Sequence, residues 1–242
     1  MKRYLWFVLC CSVLLAALSA PALAAGSANR NPGVIPLNAK VGGLTYAEWG
    51  DRWWQWVFSI PADDNPLLDL TGEKAAIGQS GDVFFLVGLW NPAGQATVER
   101  WVTVPRNTTL FLPTINYVWW KAEVCQCDLP REEMIAVFYS ALDWAVTNTV
   151  AELRASVDGQ PLQELFQYRA TSPRAFVGQY PENSIISIYP EIGTDPGVLD
   201  TIVADGYWLM LAPLKKGEHV VTFGGTYAWG DSLDVTYHIT VK

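Results

Sequence analysis

Between residues 233 and 241 apolar and polar side chains alternate without a break. Val235, Tyr237, Ile239 and Val241 fall on one side, and Asp234, Thr236, His238 and Thr240 fall on the other. A period of two belongs to a strand with one buried and one solvated face, and a helix cannot use it. Residues 96–104 repeat the pattern. Val98, Val102 and Val104 oppose Thr97, Glu99, Trp101 and Thr103, with Arg100 interrupting the apolar side. Residues 83–87 form a continuous apolar run, as in a strand covered on both faces. Residues 110–120, the alternation around Leu153, Ala155 and Val157, and the short segments 185–189, 207–211 and 219–223 add further strands. Gly, Pro and Asp punctuate them, and Asp158-Gly159 marks a hairpin. Many half-buried strands need a second sheet to cover them. The expectation is a mainly β chain, a single β-sandwich of jelly-roll or Ig-like type.

Two helices interrupt the strands. Thr45 and Glu48 have capping-box spacing and open a helix over 45–59, which ends at Pro61. Tyr46, Trp49, Trp53, Trp56 and Ile60 share one face, and Trp54 and Phe58 share a second flank, so most of the circumference is apolar. The second helix spans 130–147. Asp128 is its N-cap and Pro130 lies in the first turn. Glu132 and Glu133 complement the dipole, and Met134, Phe138, Ala141, Leu142 and Ala145 form the core stripe. No repeat or linker divides residues 44–242, which read as one domain.

Ahead of the domain, Lys2 and Arg3 precede an apolar run from Tyr4 to Leu18, and Pro21-Ala22-Leu23-Ala24 supplies the small residues of a signal-peptidase site. Residues 1–24 therefore read as a signal peptide and 25–43 as an extended leader. The chain is expected to be secreted or periplasmic in a bacterium, with no transmembrane segment after cleavage. The net charge of −8 argues against nucleic acid as a partner. Of the four Cys, only Cys125 and Cys127 survive cleavage. Their spacing allows a small strained disulfide, a local staple or two free thiols. No cofactor is expected, with Ca²⁺ as the one ion to consider.

The motif Glu48-Trp49 through Arg52-Trp53-Trp54-Gln55-Trp56, with Ser59-Ile60-Pro61 and Asn65-Pro66-Leu67-Leu68-Asp69, resembles a family of secreted bacterial proteins. Gly78-Gln79-Ser80-Gly81, Asp205-Gly206-Tyr207-Trp208 and Gly217-Glu218-His219 belong to the same pattern. The resemblance implies a bacterial secreted domain with a Trp-rich N-terminal helix and implies no activity.

The chemistry is sparse, with two His in all. His219 shares a face with Val221 and Phe223 and is expected to point inward; His238 lies on a solvated strand face. Glu48, Asp51 and His219 are the catalytic candidates. Paired carboxylates near the Trp helix, with or without Ca²⁺, would make a polysaccharide hydrolase or lyase. Asp63, Asp64, Asn65 and Asp69 crowd oxygen ligands into one loop, as Ca²⁺ needs, though Asp and Asn also favour turns for local reasons. The chain carries 12 Trp. Sugars stack on aromatic faces, so Trp101 beside Glu99, one of Trp119 and Trp120, and Trp229 are the ligand-binding candidates. The leading expectation is non-catalytic binding of a glycan or envelope polymer. The third reading is a surface assembly protein whose leader adds as a strand to a neighbour.

Overall fold

Helix α1 (Tyr46–Phe58) starts where the sequence places it. The Thr45 side chain accepts from the Glu48 N–H, and Glu48 Oε2 accepts from the Thr45 N–H at 2.8 Å. A computed structural model describes residues 31–90, 93–121, 129–188 and 195–242. The signal peptide, the leader up to residue 30, Asp128, and the Cys125 and Cys127 pair lie outside the described residues.

The strands are β1 (Val83–Phe85), β2 (Gln95–Val104), β3 (Thr109–Trp120), β4 (Val150–Val157), β5 (Gln160–Pro161), β6 (Arg169–Thr171), β7 (Phe176–Tyr180), β8 (Gly197–Leu211), β9 (Gly217–Tyr227) and β10 (Ser232–Val241). Helix α2 (Arg131–Thr149) lies between β3 and β4. The first sheet runs β1-β3-β8-β6, with β7 also pairing β8; the second runs β2-β10-β9-β4-β5. The β1/β3 and β2/β10 pairs are parallel and the other pairs are antiparallel. The described residues thus form a two-sheet β-sandwich with two α-helices.

Side-chain alternation along β8 explains the layers. Leu209 and Leu211 join Leu110, Val221, Phe223 and Tyr237 between the sheets. Ile202, Ala204, Trp208 and Met210 face the other way and pack under α1 with Trp53 and Phe58. Val203 meets Met134, Phe138 and Leu142 of α2. With α1 on one side, and the second sheet and α2 on the other, the last eleven residues of β8 are all buried. That includes Asp205, which Arg169 neutralises through contacts of 2.5 and 3.1 Å.

Three features depart from the sequence reading. Residues 185–188 form a 3₁₀ turn rather than a strand. Ile185 and Ile186 are both buried in the cluster under α1, and a strand would send consecutive residues to opposite faces. Strand β8 begins at Gly197, ten residues before the expected start, because burial on both faces overrides the polar Thr201 and Asp205. The described part of the leader is held by its own chain. The Ile35 N–H donates to the Met210 carbonyl, and the Tyr46 hydroxyl donates to the Ile35 carbonyl.

Candidate functional site: an aromatic cleft beside an open strand edge

Arg100, the charge that interrupts an apolar strand face, has no exposed surface. Its guanidinium donates to the carbonyls of Asp69, Val87, Pro66 and Gly88 and to the Tyr237 hydroxyl. A buried cation survives only when its donors are met. Here they clamp two loops, residues 66–69 and 87–88, against the sandwich. Asn65 fixes the first loop from the other end, donating to the Val57 and Ile60 carbonyls at the C-terminus of α1 and accepting from the Leu67 N–H.

These loops form one wall of a cleft of about 440 Å³. Leu67, Gly88, Leu89 and Trp90 stand on that wall, Trp53 and Trp54 of α1 close the back, and Tyr227 and Leu233 come from the second sheet. The remaining wall is β3 from Pro113 to Trp120. Strand β1 pairs only with residues 109–111 of β3, and the chain then turns away into the loop wall. Lys121 donates to the Thr201 carbonyl, so by alternation Tyr117 and Trp119 turn their backbone groups toward β8. Asn116 and Val118 turn theirs outward, where no described strand pairs with them. A β-bulge between Pro113 and Ile115 shapes this edge. Opposite it, Gly206 allows the close approach, since a Cβ there would lie 2.5 Å from the Asn116 Cα.

The cleft is apolar in surface and unsatisfied in polarity. Trp53 Nε1 donates to the Leu86 carbonyl at 2.9 Å. Trp54 Nε1, Trp90 Nε1 and Asn116 Nδ2 are buried and lack any hydrogen-bond partner. Among the described residues six buried side-chain polar atoms stand alone, and half of them belong to residues of this cleft. An orphaned buried donor costs about 1–3 kcal/mol, so the residues of this cleft carry half of such costs among the described residues.

The sequence candidates distribute unevenly around this geometry. Trp119 and Trp120 both line the cleft from opposite faces of β3. Trp119 is 46 % exposed and packs toward Phe138, while Trp120 is half-buried beside Phe58. Trp229 stacks on the cleft residue Tyr227, with centroids 4.8 Å apart and planes 14° apart. Its Nε1 donates to Asp231 at 2.9 Å. Trp101 and Glu99 lie elsewhere, on the outer face of the second sheet. The Trp101 indole stacks on the His238 imidazole at 4.9 Å and 11°, and His238 Nε2 lies 2.7 Å from Glu99 Oε1. Trp144 is 64 % exposed on α2.

The catalytic and metal candidates are engaged outside the cleft. Glu48 is committed to the capping box, and hydrogen bonds from the Thr45 N–H and hydroxyl lower its pKa. Asp51 sits on another flank of α1 and accepts from the Ser172 hydroxyl at 2.6 Å. Burial pushes its carboxyl up to about 7, against the lowering effect of that bond. His219 is mostly covered, as its strand face predicts, but both ring nitrogens are occupied, by Asp158 and by the Lys215 carbonyl at 2.8 Å each. Burial disfavours its charge, yet these contacts outweigh burial and raise its pKa. Asp69 spends its carboxylate on the N–H groups of Thr71, Gly72 and Lys74 and on the Thr71 hydroxyl. Burial opposes its charge, and the donors still lower its pKa. Asn65 serves the helix end, and Asp63 and Asp64 are exposed in a 3₁₀ turn. The loop read as a Ca²⁺ cradle thus uses its two buried oxygen-bearing side chains as backbone caps. Among the described residues no three His, Cys, Asp or Glu side chains gather where they could hold a metal.

The seven aromatic rings that line the cleft are visible in the sequence one by one, but their convergence is not. Trp90 and Asn116 had no signal in the sequence, because an unmet donor is a property of the folded surroundings. No family model, no curated protein and no solved structure matches this chain.

Proposed function

We propose that this protein is a non-catalytic binding module that seats a sugar ring of a glycan in the aromatic cleft. The three unpartnered donors, Trp54 Nε1, Trp90 Nε1 and Asn116 Nδ2, carry this reading. A sugar supplies what the cleft lacks. Its C–H faces pack on indole rings, and its oxygens accept from the N–H groups once the cleft side chains rotate to expose them. Its hydroxyls donate to the outward carbonyls of Asn116 and Val118. The volume suits a small ligand or one segment of a larger one. The segment 1–24 favours a secreted or periplasmic setting, where such polymers are met.

The lining residues among those described include no Asp or Glu, which favours binding over hydrolysis, since glycoside cleavage needs two carboxylates across the bond. Assembly through the leader is less favoured, because residues 33–35 are already bonded to residues 210–212 of the same chain.

Titration of the protein with neutral oligosaccharides, read by tryptophan fluorescence and calorimetry, tests the proposal. Binding should weaken about tenfold in Asn116→Leu, which removes a donor worth roughly 1.4 kcal/mol. If no oligosaccharide perturbs the fluorescence, or Asn116→Leu binds as tightly as the parent, the glycan reading fails.

A further inference from the structure

From the geometry at the cleft mouth we infer that the ligand is a linear polymer, and that Trp229 is a second subsite holding the ring next to the one in the cleft. This rests on the glycan reading of the cleft and adds the length and direction of its ligand.

Tyr227 belongs to two structures at once. It lines the cleft, and its ring is the floor on which Trp229 stacks at 4.8 Å. The Tyr117 ring, on the strand-edge wall, meets Tyr227 at 6.5 Å and 80°. Aromatic surface therefore continues from the cleft wall through Tyr227 to Trp229 without leaving ring contact. Trp229 itself is 60 % exposed. One face is braced by Tyr227 and its Nε1 is tied to Asp231, so the indole is held flat with its other face toward solvent.

An exposed indole with nothing to cover is a cost in water. One fixed in orientation is a platform, because a ligand ring docking on it immobilises little further side-chain freedom. The ligand chemistry follows from the continuity. A monosaccharide filling the cleft would leave Trp229 unused. A chain of linked rings entering the cleft by one end would lay its next ring on Trp229, keeping its hydroxyl edges in water. Trp101 is also exposed and braced on one face by His238. It lies on the outer sheet face, and His238, the ring it stacks on, lines no part of the cleft, so it serves as an internal control.

The test is a length series of linear neutral oligosaccharides, from two to six rings, titrated into the parent, Trp229→Ala and Trp101→Ala. Affinity should rise with length in the parent and in Trp101→Ala. In Trp229→Ala the rise should be lost, a deficit of about tenfold for the longest oligomer with the shortest binder unchanged. Trp229→Phe, which keeps a stacking ring, should recover part of the rise. Affinity independent of length, or a Trp229→Ala deficit that is absent or equal at all lengths, overturns the polymer inference and leaves the cleft reading standing. Failure of every oligomer to bind the parent overturns both.

Discussion

The outer face of the second sheet and the cleft both present tryptophan, but they treat its polarity in opposite ways. Outside, the Trp101 ring lies against His238, and His238 is tied to Glu99. Water reaches that face, so any group left over is solvated. In the cleft Trp53 and Trp54 are buried, and Trp54, Trp90 and Asn116 hold donors that neither protein nor solvent meets. Exposure of an aromatic ring therefore says nothing about unmet polarity, whereas a buried donor without an acceptor carries a cost in the free protein.

The contrast can be broken most forcefully at the cleft wall. Replacing Arg100 by Met strands the Asp69 and Gly88 carbonyls, while Val87 keeps the Tyr237 hydroxyl and Pro66 the Asp69 N–H; it should cost about 3–5 kcal/mol of stability in urea unfolding, with loss of binding. A loss below about 1 kcal/mol would mean that the clamp is not what holds the loops. The next largest effect concerns a buried group that does have a partner. Asp51 titrates near 7 in the fold, above its ordinary value of 3.8. The fold favours the protonated carboxyl, so this group's contribution to stability is greatest below pH about 4, falls by roughly 2–4 kcal/mol as pH rises to 7, and is level above that. Asp51→Asn should remove that slope between pH 4 and 7 and leave cleft binding unchanged. Gly206→Ala forces β3 away at Asn116 and should cost about 2 kcal/mol, together with sugar affinity. Asn116→Leu is expected to raise the stability of the free protein by about 1 kcal/mol while weakening binding. Opposite signs in one variant would separate a ligand site from a structural one. The smallest effect belongs to the outer face. Glu99→Gln should shift stability by less than about 0.5 kcal/mol, as exposed ion pairs do, with no change in binding.

The alternation in β2 and β10, and the capping box of α1, reached the fold through local periodicity, which one strand or helix displays by itself. Strands β6 and β7 left no such trace. They are short, half-polar, and exist because β8 offers them an edge. The Ile185-Ile186 pair misled for a related reason, since two adjacent apolar residues read as strand until the layer above them is known. The cleft was legible only in pieces. Trp119, Trp120 and Trp229 were selected for exposure, and their relation to Tyr227 depends on which strands pair. Arg100 was visible as an anomaly in an apolar face, but its acceptors are carbonyls, which no side-chain pattern announces.

The parallel pairing of β2 with β10 bears on the order in which the chain acquires structure. Arg100 and its acceptor Tyr237 are 137 residues apart. The strand carrying the guanidinium is synthesised well before the strand that covers it, an interval on the order of ten seconds at ordinary elongation rates. During that interval the cation has water as its partner and the loops around residues 66–69 and 87–88 have no clamp. Closure of the second sheet is then a late, long-range event of the slow kind that high contact order imposes. The cleft, walled by loops that Arg100 clamps, is consequently among the last parts of the molecule to exist.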